Sequence, residues 1–513
     1  MRVPGGSRGR KSGSCASALH MAGYDGRRGE LAAEARMKSQ AIITLAVLAG
    51  CLGAASSASG AKESANVTDQ LYSEKLRPQF HFSAKAGWIN DPNGLVFYKG
   101  VWHMFFQYNP FTPPAPFWGH AISKDLVHWK QIEHAILPDA MGTIFSGSAV
   151  VDWKNTSGFK KGDDAPLVAF YTAAGGTSDE SKGAPFTQCS AYSTDAGMTW
   201  TKYEKNPVIP HIKGANRDPK AVWHEPGQKW VLILYIDEDW FALFESKDTK
   251  IWTKLQDFQF PGHTECPDFF PMKVEGEPGV TKWVLTTAIG DAHIGSFDGK
   301  RFVSEAGPLT GDFGANYYAV QTFSDAPGGR RIQVAWMRGA EYPDMPFTQQ
   351  MNFPTEMTLR RFPEGLRICR LPVREIETLH DKEHKFKNKA INPGENLLAG
   401  ISGGLLHIQA EIEPGKASAF GFRALGEEVR WSADGNTLSC LGKTAIAAPE
   451  NGRIRLEILV DRTSIEVFAN GGRAVMSSCF VPKTDSSQLE CFAEGGAAKA
   501  VSLKVHTLKS AWR

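Results

Sequence analysis

The chain has 513 residues, too many for one hydrophobic core, and its 57 Lys+Arg against 55 Asp+Glu leave a formal net charge of +2. Such a balance argues against a polyanionic partner such as nucleic acid, and the length suits two domains with large cores. The 14 Trp and 30 Phe fit a β-rich core, and they also fit the C–H faces of sugar rings.

Residues 1–36 carry several Arg and Gly without apolar periodicity and read either as an overlong translation start or as a disordered extension. Met37 and Lys38 then open the apolar run AIITLAVLAG, which ends at Cys51. This charged, apolar, small order is that of a secretory signal, and it is too short to span a bilayer. Leu48-Ala49-Gly50-Cys51 resembles the bacterial lipobox, in which the Cys is lipidated; cleavage further on, in AASSASGA, is the alternative. We therefore read 37–51 as a signal peptide with a lipobox-like end and 52–77 as a linker. The mature protein is expected in the periplasm or cell envelope, lipid-anchored to the membrane through Cys51 or otherwise secreted. Export would place Cys189, Cys266, Cys369, Cys440, Cys479 and Cys491 where they can pair, although their wide spacing shows no disulfide framework. There is no CxxC or HExxH and the 14 His are scattered, so no metal site and no cofactor are expected.

From about residue 78 a repeat appears. Ser123-Lys-Asp125 with Trp129, Ser193-Thr-Asp195 with Trp200, Ser246-Lys-Asp248 with Trp252 and Ser296-Phe-Asp298 with Phe302 share a Ser-x-Asp turn followed by an aromatic. Hairpin-like strand pairs such as LVFYKGVWHMFFQY, AVWHEPGQKWVLILYI and VQTFSDAPGGRRIQVAWM recur with them. Short strands at a period of about fifty residues predict a β-propeller, because each small sheet must bury its faces against its neighbours. Five blades are expected over 78–370. Beyond a short linker, alternating strands such as LLHIQAEI and RLEILVDRTSIEVF with Gly-rich turns predict a β-sandwich over 371–513. The fold class is all-β.

Acids beside prolines precede three of the inner strands: Asp91-Pro92 in WINDPNG, Asp218-Pro219, and Glu265-Cys266-Pro267-Asp268. Taken alone, Asp-Pro-Asn-Gly suits a type I turn. If the strands line a channel, however, the three acids converge at one end, and two carboxylates flanking a bond can hydrolyse a glycoside. Asp268 is expected to raise the acid's pKa by repulsion.

WINDPNG, FQYNP (106–110), WGHAISKDLVHW (118–129), FSGS (145–148), RDPK (217–220), ECPD (265–268) and VDRTSIEVFANGG (460–472) occur in the order seen in glycoside hydrolase family 32, which the chain resembles from about 80 to 513. The resemblance implies a five-bladed propeller followed by a sandwich, and retaining cleavage of terminal β-D-fructofuranosyl residues from fructans (levan, inulin) or sucrose. It implies Asp91 as nucleophile, Glu265 as acid/base and Asp218 as transition-state stabiliser. Trp88, Asn90, Gln107 and Trp118 match the family's fructose pocket, as do Phe145, Ser146, Arg217, Tyr318 and Trp336. The family often has a further Trp before WGHA, whereas NPFTPPAPFWGHA offers Phe111 or Phe117 in its place. A closed funnel around one sugar predicts exo-action; fructosyl transfer with the same residues and a non-catalytic sugar-binding propeller are the alternatives.

Overall fold

The computed structural model describes residues 71–110, 115–483 and 487–512; the signal-like segment with Cys51, and Phe111, lie outside them. Four-stranded antiparallel sheets form in chain order, each strand pairing with the one before it, as short alternating segments joined by tight turns must. The inner strand of each blade comes first: Gly87–Tyr98, Thr143–Val151, Arg217–His224, Asp268–Lys273 and Tyr318–Thr322. In the first hairpin Lys99 and Gly100 have φ of 49° and 78°, the paired left-handed conformation that a two-residue hairpin turn requires.

Each inner strand touches the next, and the fifth touches the first, so the ring is closed. Hydrogen bonds from Ser324 N to Leu95 O (2.8 Å) and from Phe97 N to Ser324 O (3.0 Å) seal the last seam. A short strap from the fifth blade, Phe347–Thr348, also pairs parallel with Gly87 and Trp88. Closure removes the unpaired sheet edges that would otherwise invite aggregation.

The repeated turns link the third and fourth strands. Ser123, Ser193 and Ser246 donate their hydroxyls to Asp125, Asp195 and Asp248 at 3.1, 2.7 and 3.1 Å. The following Trp129, Trp200 and Trp252 each donate an indole N–H to the carbonyl three residues earlier, at 2.9, 3.0 and 3.0 Å. In the fourth blade Asp298 accepts from Lys300 N and Arg301 N, both at 2.7 Å.

The run WINDPNG does not form the type I turn its composition favours. It lies within the strand Gly87–Tyr98, whose register with Val101–Asn109 shifts between Ile89 and Pro92. The expected turn is replaced by a bulge, because Ile89, Leu95 and Val96 are fully buried and tertiary packing holds the segment extended.

After the last propeller strand, Gly365–Pro372, a sandwich forms from a six-stranded and a five-stranded sheet. Its core includes Phe420, Trp431, Ile458 and Val467. Leu459, Phe468, Val475 and Leu508 pack instead with Phe80, Phe82 and Phe353 of the propeller. Asp461 fastens this contact by accepting from Gln79 N (2.8 Å), Phe80 N (3.0 Å) and His81 Nδ1 (2.8 Å), while Glu466 takes His81 Nε2 at 2.8 Å. All six cysteines among the described residues are free.

Candidate active site

Four inner strands are irregular at the end where the acids sit. Register shifts fall between Ile89 and Pro92, Phe145 and Gly147, Arg217 and Lys220, and Tyr318 and Gln321. In the remaining blade, Glu265 and Cys266 precede the strand with φ of 38° and 44°. Bulges re-aim side chains that a regular strand would direct at neighbouring blades. Here they turn Asp91, Ser146, Asp218 and Tyr318 toward a common point.

Cys266 stands at that point. Its thiol lies 3.5 Å from Asp91 Oδ2 and 3.5 Å from Asp218 Oδ2, and its backbone N–H donates to Asp218 Oδ2 at 2.9 Å. Burial, then the charges of Asp218 and Asp91, push the thiol's pKa well up, so it remains an S–H donor. Asp91 also accepts from Asn90 Nδ2 (3.0 Å) and from the Ser146 hydroxyl. Glu265 accepts from Arg217 Nη2 (2.7 Å) and Nε (3.2 Å) on one oxygen and from the Tyr318 hydroxyl on the other.

The carboxyls are electrostatically unequal. Burial raises Asp91 above the usual range, opposed by its bonds to Ser146 and Asn90. Asp218, 3% exposed, is pushed up to about 7 by burial against the pull of Arg217. Burial would raise Glu265 as well, but the Arg217 charge and the bonds from Tyr318 and Arg217 bring it below its ordinary value. The expected repulsion from Asp268 is not what acts on Glu265. Asp268 is fully buried, accepts from Thr322 N at 2.7 Å and lies 3.5 Å from Lys220 Nζ, so its charge is engaged elsewhere.

The expected pocket residues separate into four groups. Asn90, Ser146, Arg217 and Tyr318 touch the carboxylates directly. Trp88, 36% exposed, and Trp336 meet edge-to-face with centroids 6.1 Å apart, and Trp88 Nε1 donates to Asn90 Oδ1 at 3.2 Å. Gln107, in the strand opposite the Asp91 bulge, is 3% exposed and its amide nitrogen has no hydrogen-bond partner. Trp118 departs from expectation: at 0% exposure it has no surface to offer a sugar. It packs on Phe105 and donates to Phe145 O at 3.0 Å, so it supports half-buried Phe145 from behind. Phe117 is likewise buried, 5.4 Å from the Tyr108 ring.

Several supporting residues escaped the motifs. Thr172 Oγ1 accepts from Asp218 N at 3.0 Å, the Tyr235 ring lies 4.7 Å below the Arg217 guanidinium, and Arg338 lies 4.6 Å over Tyr318. Gln349 holds the Trp336 indole N–H at 3.0 Å. None carries a local sequence signal, because each reaches the site from a second strand or a connecting segment.

Three carboxyls from three blades, with an arginine and aromatic rings beside them, define a carboxylate-based glycoside hydrolase. Residues 81–369 match the glycosyl hydrolases family 32 N-terminal domain and 375–507 match the family's C-terminal domain. The chain belongs to glycosyl hydrolase family 32. It is 40% identical over 501 residues to a levanase of Bacillus subtilis (strain 168), covering 88% of this chain and 73% of that one. It is 30% identical over 519 residues to an extracellular exo-inulinase of Aspergillus niger, covering 86% and 96% respectively. The crystal structure of the Aspergillus awamori exo-inulinase superposes with a TM-score of 0.78 at 28% identity, over 86% of this chain and all of that one.

Proposed function

We propose that the protein is an exported, retaining β-fructofuranosidase that removes single fructose units from the non-reducing ends of fructans and also cleaves sucrose. The observation that carries this reading is the meeting of Asp91, Asp218 and Glu265 around Cys266, within a family whose similar members include a levanase and an exo-inulinase. Asp91, oriented by Asn90 and Ser146, attacks the anomeric carbon. Glu265 protonates the departing oxygen and then takes a proton from water to release fructose. Asp218, backed by Arg217, grips sugar hydroxyls and offsets the charge that develops on the ring.

In the free site burial raises the proton affinity of Asp218 and Asp91, whereas Arg217 and Tyr318 lower that of Glu265. The acid role therefore requires substrate to raise the proton affinity of Glu265. A leaving-group oxygen lodged against Glu265 excludes water and competes with Arg217 and Tyr318 for the carboxylate, and both effects raise its proton affinity. Trp88 and Trp336 form the rim over which the next sugar passes. Export is supported by the signal-like segment 37–51 and by the relative that is itself extracellular. Attachment through Cys51 predicts a mature chain that begins at that residue, and an unmodified N-terminus further on, seen by intact mass, removes it.

Incubation of the purified protein with sucrose, inulin and levan decides the function. Fructose alone at early times is expected, with NMR showing the β-anomer formed first. A ladder of oligosaccharides before fructose overturns exo-action, growth of longer oligosaccharides points to transfer, and no release from any of the three removes the hydrolase reading.

A further inference from the structure

The sandwich domain brings together three histidines that are far apart in sequence. His407 and His506 are direct cross-strand partners in adjacent strands, Leu406–Glu413 and Ala498–Leu508. His380 opens the strand His380–Ile391 and pairs with Leu508, two residues from His506 and so on the same face of the sheet. His407 and His506 are 1% and 7% exposed, whereas His380 is half-buried at the surface. The nitrogens that the three rings offer lie within 4.8 Å of one another.

Each buried ring is held from behind by a carboxylate. His407 Nε2 meets Glu457 Oε1 at 2.8 Å, and His506 Nε2 meets Glu383 Oε1 at 3.1 Å. An ionised carboxylate can only accept, so each Nε2 carries the proton and, in the neutral ring, each Nδ1 presents a lone pair. His407 Nδ1 lies 3.0 Å from His380 Nε2. His506 Nδ1 is buried without any hydrogen-bond partner. A pure hydrogen-bond network leaves that atom unexplained, at a cost that native interiors generally avoid.

We infer that His380, His407 and His506 form a binding site for one divalent transition-metal ion of the zinc type. Neutral imidazoles oriented by carboxylates are the usual donors for such ions, and three of them leave a fourth position, on the His380 side, open to water. Nitrogens sharing a tetrahedral zinc lie about 3.3 Å apart, which the His380 to His407 spacing already approaches. The His380 and His506 rings are stacked, with centroids 3.7 Å apart at 7°. A metal in the plane of both requires His380 to rotate, and its position at a strand start beside solvent allows this. Nothing in the set favours calcium or magnesium, which take oxygen ligands. The ion would tie the first strand of the sandwich to two interior strands, giving it a structural role independent of the carboxylate site in the propeller.

The full-length protein, stripped with a chelator, is titrated with Zn²⁺ by calorimetry and with Co²⁺ by visible absorption, and thermal unfolding is followed in parallel. One ion per chain, an intense tetrahedral Co²⁺ band and a higher Tm are expected. His380→Ala, at the half-exposed position, abolishes the band, and Glu383→Gln weakens Zn²⁺ binding by about 10–100-fold. No binding at micromolar free Zn²⁺, equal competition by Ca²⁺, or binding unaltered in both His380→Ala and His506→Gln overturns the site. Fructose release by each variant without metal serves as its folding control.

Discussion

Aspartates beside turns do two different jobs in this propeller. At the outer corners Asp125, Asp195 and Asp248 accept from their own loops, and those bonds hold them below the ordinary carboxylate range against a burial penalty that would raise them. At the inner strand ends Asp218 is buried, Asp91 is half-buried and both lie beside other carboxylates, so their proton affinity is raised. An acid satisfied by its own backbone is a fastener. One drawn away from water and set beside like charges is poised for chemistry.

Exchanging the acids for neutral residues is the strongest way to break that comparison. Asp91→Asn is expected to lower kcat by at least about 10⁴-fold with the fold intact, since it removes the attacking oxygen; near-normal turnover in a folded variant would cancel the proposed role.

The interdomain pair obeys a third logic, because a buried charge there is fully paired. Burial would lower the pKa of His81, but Asp461 and Glu466 raise it from its ordinary 6.5 to about 9. Stability from this group is complete below pH 6.5 and is lost as pH rises toward 9, while Asp461, whose pKa is lowered, loses its share as pH falls through its folded value. His81→Gln should cost about 3–5 kcal/mol, because it leaves buried carboxylates unpaired, and should flatten the fall of Tm between neutral pH and pH 9.

Arg217 sharpens the contrast within the site. Its charge keeps Glu265 low, so Arg217→Gln is expected to cost about 10²–10³-fold in kcat/KM and to move the alkaline limb of the pH profile upward, as the acid then holds its proton to higher pH. An unmoved limb would show that Arg217 does not set the acid. The smallest effect is expected at the outer corner: Asp195→Ala should lose about 1 kcal/mol of stability per hydrogen bond removed, seen as a lower Tm, with kcat unchanged.

Much of this was legible in the chain. The Ser-x-Asp turns recur because their hydrogen bonds are local, spanning two to four residues, and local bonds leave local patterns. The alternating strands and the acids beside prolines were visible for the same reason, as was the likeness to the family. Bulges left no trace, so WINDPNG taken alone suited a turn although it is a strand, and Trp118 matched the family's fructose pocket although it is sealed in a blade core. Asp268 read as a neighbour of Glu265, yet three residues of chain send it to Lys220 and Thr322 instead. Thr172, Tyr235, Arg338 and Gln349 support the site from other segments, and the three histidines of the sandwich looked scattered because strand register alone makes them neighbours. Sequence determined the repeat and the strands and singled out the acids beside prolines as candidates, since these leave patterns close along the chain. Only the tertiary structure decided which acids are drawn from water beside one another and which side chains meet, because closure of the ring and pairing of distant strands set both.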